Sequence, residues 1–175
     1  MDGVDVIVAN WAVARPELDV SALRVFGRLH RSFLVYKSSI AATFERYDIT
    51  DSGFDVLACL RRAVPDHRLT AGQLAEQTLV TTGGLSLRVK RLEDAGLVTR
   101  TRDAQDARIV YVEMTAKGLG LVDVVADEHF AALQAMLAGL DQSEVDELEV
   151  LLERLEGSAR AARPDAVASE AGQIS

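Results

Sequence analysis

Val4, Ile7, Trp11 and Ala14 recur at helical spacing and predict an N-terminal helix that runs to about Arg15, before Pro16. A longer helix follows from Val20 to Tyr47, with Leu23, Phe26, Leu29, Phe33, Ile40 and Phe44 on its apolar face. Thr50 or Asp51 can cap a third helix, GFDVLACLRRAV, which stops near Pro65. Thr70 to Gln73 is a capping-box pattern that opens a short helix through about Glu76. Thr81 or Thr82 caps the next, residues 82–95, with Gly96 in the position just past its end. LVTRT and ARIVYVE then read as two strands around the tip Asp103–Asp106. Thr115 starts a long helix carrying Leu119, Val122, Phe130, Leu133 and Leu137. Asp141 and Glu144 open a last one, with Val145, Leu148, Leu152 and Leu155 at heptad spacing.

The pattern is mainly α with a small β-hairpin wing. It divides into an N-terminal helix (1–18), a helical region (19–48 and 115–157), to which the resemblance given below assigns dimerisation, and a winged helix-turn-helix domain (49–114). Residues 158–175, small and polar, read as a disordered tail.

Charge sharpens this division. The chain has 175 residues and a net charge of -8. Residues 1–118 carry 16 Lys/Arg against 15 Asp/Glu, whereas residues 119–175 carry 3 against 12. The acidity therefore belongs to the C-terminal segment. Cations concentrate between Arg88 and Arg108, on the predicted helix 82–95 and the hairpin after it, where a winged helix would meet a duplex. The total charge does not exclude an anionic partner, because a local patch governs such binding.

Helix 82–95 has two faces. Leu85, Val89 and Leu92 form its apolar stripe. Gly83, Ser86, Leu87, Lys90 and Asp94 lie opposite. Gly83 and Ser86 are small enough for close approach, and Thr81, Thr82 and Ser86 can donate to phosphates or base edges. Leu87 suits a thymine methyl, while Lys90, Arg91, Arg102 and Arg108 supply charge. Arg88 does not fit the outward face. It sits on or beside the apolar stripe and needs a partner, for which Asp55, among Phe54, Val56 and Leu57, is a candidate. Arg100 is a second cation set well short of the wing tip. From spacing alone these residues read as structural Arg–Asp pairing.

Other chemistry is sparse. Cys59, the single cysteine, lies in VLACL and reads as core. His30, His67 and His129 lack ligand spacing, Gly83-Gly84 lacks the rest of a phosphate-binding loop, and no nucleophile–base pattern occurs. The reading is of a non-enzyme without metal or cofactor. The N-terminus is acidic where a signal peptide is basic, and no apolar run is long enough to span a bilayer, so a soluble cytoplasmic protein without membrane partners is expected.

The stretch from Leu69 to Gly118 resembles the MarR family of winged-helix regulators. The resemblance rests on RLEDAGLVTR, Asp106-x-Arg108 and Met114-Thr115-x-x-Gly118, and extends over roughly residues 20–155. It implies a homodimer with interlocking terminal helices that binds double-stranded DNA. Four residues are similar to those of the urate-responsive branch: Trp11 in an extra N-terminal helix, Asp55 in Phe-Asp-Val-Leu, Arg88 in the recognition helix and Arg100 just after Gly-Leu-Val. The likeness implies a small aromatic anion, urate or xanthine-like, held by Trp11 and Arg88. Asp55 would respond by charge repulsion, and Arg100 would link the site to the recognition helix. Ala107 and Ala104 stand where family members often have arginine and proline, which weakens the expected wing contact. Two glycines at the start of the recognition helix would cost it about 1 kcal/mol each. The function expected is a ligand-responsive repressor. The alternative is a winged-helix module that binds protein through its acidic C-terminal segment.

Overall fold

The computed structural model describes residues 2–78, 84–106 and 108–162. The chain is mostly helical with one small antiparallel sheet, and it divides into two compact units, residues 1–132 and 133–175.

In the first unit, α1 (Gly3–Ala14) is capped by Asp2, whose carboxylate accepts from the Val4 and Asp5 amides at 2.8 and 3.0 Å. Arg28 on α2 (Leu23–Arg46) reaches Asp5 at 2.9 Å and Asp2 at 3.1 Å, clipping the two helices together. The residues that α1 buries are Val4 and Val8, an i,i+4 pair, and not the stripe through Ile7 and Trp11 that the spacing suggested. Ile7 and Trp11 stay 49% and 44% exposed. The expected apolar face of α2 is likewise only partly covered. Ile40 and Phe44 are buried, while Phe26, Leu29 and Phe33 are exposed. α2 starts at Leu23 and not Val20, because the Ser21 amide bonds to the Asp19 carboxylate and holds a turn there.

Thr50 caps α3 (Asp51–Arg62), its hydroxyl accepting from Gly53 N–H at 3.0 Å. α4 (Ala71–Gln77) opens on the Thr70–Gln73 capping box. Its lead-in is a strand missed in the sequence, β1 (Arg68–Thr70). α5 (Leu85–Asp94) begins later than residue 82. Gly84, at φ 94°, stands ahead of its first turn, so this glycine does not weaken the helix interior as expected. The proposed caps Thr81 and Thr82 lie outside the described residues, as do Gly83 and Ala107. α5 ends as the sequence indicates. Gly96, at φ 70°, donates to Glu93 C=O and Leu97 donates to Leu92 C=O, both at 2.9 Å, which is the Schellman pattern.

β2 (Val98–Arg102) and β3 (Val110–Met114) form the hairpin, and β1 pairs with the other edge of β3, giving the order β1-β3-β2. β3 starts at Val110 because a turn closed from Ile109 N–H to Asp106 C=O, 2.9 Å, lengthens the tip. α6 (Ala116–Leu137) is locked beneath the hairpin at its start. Thr115 donates to Gly96 C=O at 2.9 Å and accepts from Gly118 N–H at 3.0 Å. A Cβ on Gly118 would lie 2.1 Å from Leu97 O, so only glycine fits.

In the second unit, α7 (Gln142–Ala161) opens on the Asp141–Glu144 capping box. It runs to Ala161, so residues 158–161, expected as tail, are helical because the helix continues through Gly157 with an Arg160–Glu156 ion pair on its last turns. Residues 163–175 lie outside the described residues. Leu148, Val150, Leu151 and Leu152 on α7 are exposed.

Candidate nucleic-acid interface and ligand cavity

α5 is amphipathic, and its inner stripe is buried: Leu85, Val89 and Leu92 are at most 8% exposed. On the outer side Ser86, Leu87, Lys90 and Arg91 are exposed, as the sequence indicated. Lys90 is held by Asp94 one turn on, at 3.0 and 2.9 Å from its two carboxylate oxygens. The wing adds Arg102 at the end of β2 and Arg108 beyond the tip. Arg108 is almost fully exposed and bonds to Asp106 through its amide (3.0 Å) and Nε (3.1 Å). A helix face of small polar and cationic side chains beside a loop flanked by Arg102 and Arg108 suits a groove and its flanking phosphates. Thr81, Thr82 and Gly83, assigned to the same face, lie outside the described residues.

The four candidate ligand residues are spread out. Arg88 is half-buried on the inner side of α5 and lines a cavity of about 110 Å³ with Asp48, Ile49, Thr50, Gly53 and Arg91 among others. Hollows of about 220 and 460 Å³ share lining residues with that cavity, Ile49 and Thr50 in the first and Asp48 and Ile49 in the second. Asp55 is half-buried on α3, flanked by the buried Phe54, Val56 and Leu57. Trp11 lines a separate shallow hollow on α1 with Ile7, Asn10 and Ala14. Arg100 lies on the wing side, beside Ala71, Leu85, Ser86, Val89 and Val110. There it grips Glu93 of α5, a partner the sequence reading missed, with Nε at 2.9 Å from the carboxylate. The Arg100 hydrogen bond, above all, holds the Glu93 carboxyl below its usual range. The seven-residue spacing across the Gly96 turn was the available signal.

Cys59 is core. It is fully buried, its thiol donates to Gln77 C=O at 3.3 Å, and burial pushes its pKa up, with Asp55 adding to the rise and Arg62 opposing it. Among the described residues no cluster could hold a metal ion, and no helix is long and apolar enough to cross a membrane.

Two short helices followed by a β-hairpin wing, with β1 paired to the outer edge of β3 and exposed cations on the second helix and the wing, define a winged helix-turn-helix DNA-binding fold. A MarR family profile matches residues 47–109. The HTH-type transcriptional regulator PecS of Dickeya dadantii is 31% identical over 150 residues, covering 86% of this chain and 90% of PecS. The chain belongs to the MarR family of winged-helix transcriptional regulators, and it is a regulator and not an enzyme. Among solved structures, the MarR family regulator AbsC of Streptomyces coelicolor superposes with a TM-score of 0.73 at 21% identity, covering 82% of this chain and 97% of AbsC. NadR in complex with 4-hydroxyphenylacetate superposes with a TM-score of 0.57 at 25% identity, covering 73% and 88% of the two chains.

Proposed function

We propose that the protein is a repressor that binds a pseudopalindromic operator as a homodimer and is released by a small aromatic anion, best matched by urate or a related purine. The observation that carries this reading is the position of Arg88. It is a cation on the inner side of α5, lining a cavity whose opposite wall is the α2–α3 corner at Asp48–Thr50. An anion drawn to Arg88 acts on the same helix that presents Lys90 and Arg91 outward. Asp55 is the charge on α3 that such an anion would repel. Arg100 passes any shift of α5 to the wing through Glu93. Trp11, which lines a hollow of its own on α1, is the exposed aromatic face to which the resemblance assigns stacking. NadR, with its bound aromatic acid, supports a ligand of this class. A 100-fold loss of DNA affinity requires about 2.7 kcal/mol of coupling, which one or two charge-assisted hydrogen bonds made in one state only can supply.

A second copy is the occupant we propose for the uncovered apolar faces, one on each unit. Phe26, Leu29 and Phe33 on α2 and Leu148, Leu151 and Leu152 on α7 are exposed in the single chain. Burying each is worth roughly 1.5–3 kcal/mol. Leu152→Asp should therefore give monomers or insoluble protein, and a soluble dimeric variant would remove α7 from the seam.

The deciding experiment titrates urate into the protein–DNA complex for the parent, Trp11→Ala and Arg88→Ala. Release of the parent with weak response of both variants is the expected result. No release of the parent at millimolar urate eliminates urate, and equal half-release concentrations for parent and Trp11→Ala eliminate Trp11.

A further inference from the structure

The tip of the wing is braced from outside the hairpin. Arg68 opens β1, and its guanidinium carbon sits 3.7 Å from the centroid of the Tyr111 ring on β3. The register pairs Arg68 with Glu113 and Thr70 with Tyr111, so Arg68 reaches diagonally across the two strands. On its other side β3 sets Tyr111 opposite Thr101, two residues before Asp103. The Asp103 carboxylate accepts from the amides of Gln105 (2.8 Å) and Asp106 (3.0 Å), folding the tip, while its own amide donates to Ile109 C=O at 3.0 Å. Those backbone bonds to the carboxylate chiefly hold the Asp103 carboxyl below its usual range, and the Tyr111 hydroxyl and the Arg68 charge add to the effect. Asp106, placed by this turn, in turn orients Arg108.

We propose that Arg68 and Tyr111 are positioning residues for DNA binding, which preform the wing tip so that Arg108 meets the duplex without further ordering. The proposal rests on the reading of the wing as a DNA contact. Its physical basis is preorganisation. A loose tip must be ordered at the moment of binding, and the affinity falls by that amount. Neither residue need touch DNA.

A double-mutant cycle in the full-length protein tests this, with a labelled duplex selected by the parent from a random-sequence pool. Arg68→Ala and Tyr111→Leu should each lose about two- to fivefold in affinity, the scale of an exposed cation–π contact. Both losses should vanish in an Arg108→Ala background. Tyr111→Phe, which keeps the ring beneath Arg68 but not the hydroxyl, should lose less than Tyr111→Leu. It also keeps the test alive if the leucine variant folds poorly. If the Arg68→Ala loss persists beside Arg108→Ala and the log–log salt slope flattens by about one, Arg68 is itself a phosphate contact and the proposal is overturned. If Arg108→Ala alone leaves affinity unchanged, the wing reading fails and the proposal falls with it.

Discussion

Arg100 on β2 and Glu93 on α5 form an ion pair that joins the wing to α5 across the Gly96 turn, with Arg100 Nε 2.9 Å from the carboxylate. The two parts proposed to meet one duplex are thereby fixed relative to each other. Glu93→Gln keeps the shape but removes the charge. It should weaken DNA binding modestly at low salt, with the difference shrinking as salt rises, and lower the melting temperature only slightly near neutral pH, as for a surface pair. The pair also has a pH signature. The Glu93 carboxyl is depressed below 4.5 in the folded protein, mainly by Arg100. Its contribution is therefore complete above about pH 4.5 and disappears as pH falls through the folded value. Melting curves of parent and Glu93→Gln below pH 4.5 should converge, and a constant gap down to acid pH would rule the pair out as the cause.

Gly118 is the tightest point under the wing. Its absent side chain makes room for Leu97 C=O, which also accepts from the Thr115 amide at 3.1 Å. A methyl group there meets backbone, which cannot swing away, so α6 or the hairpin has to shift. Gly118→Ala should destabilise the fold by about 1–3 kcal/mol, the usual cost of overpacking. Thermal melting measures it. An unchanged midpoint would mean that α6 slides freely against the hairpin.

His129 is 8% exposed, and its Nδ1 has no hydrogen-bond partner among the described residues. Its ring lies between those of Phe44, Phe54 and Phe130, at 5.4, 5.0 and 5.5 Å. Burial holds its pKa below 6.5, although the Asp51 charge acts in the opposite sense. The unfolded chain takes up the proton near pH 6.5 and the folded chain does not. Stability is thus fully present above that value and falls as pH drops toward the folded pKa, by at most about 1.4 kcal/mol per pH unit. His129→Leu should flatten the melting temperature between pH 7.5 and 5.5, as read by scanning calorimetry. Identical pH slopes for the two proteins would assign the acid sensitivity elsewhere.

How much of this was legible depended on how local each cause is. Thr50, the Thr70–Gln73 and Asp141–Glu144 capping boxes and Gly96 announce themselves because a cap is a bond between near neighbours in sequence. β1 did not, since Arg68–Thr70 is three residues long and exists only by pairing with Tyr111–Glu113. Arg88 facing inward was readable from its place between Leu85 and Leu92. The burial of Val8 in place of Trp11 was not, because two helical stripes of similar hydropathy compete on α1 and the packing of α2 chooses. The extended apolar face of α2 was visible as a pattern, but whether this chain alone would cover it was not.

The outward face of α5 carries the last expectation, and Lys90 is its most informative residue. In the single chain its ammonium is shared between both oxygens of Asp94. For Lys90 to bind a phosphate, the phosphate must therefore compete with that carboxylate, which is also a negative charge facing the duplex. Two opposite changes follow. Lys90→Ala should weaken binding and lower the magnitude of the log–log salt slope by about 0.9, the value for each phosphate that a cation neutralises on B-form DNA. Asp94→Asn should strengthen binding, because it frees the ammonium and removes the repulsion, while adding no new cation. Arg91→Ala should resemble Lys90→Ala in slope, and it also alters the wall of the cavity that Arg91 shares with Arg88. Fluorescence anisotropy across a salt series on one duplex reads all three variants. Unchanged affinity in both Lys90→Ala and Arg91→Ala would move the DNA-binding surface to another face. Weaker binding by Asp94→Asn would show that the carboxylate positions Lys90 for its phosphate and does not restrain it.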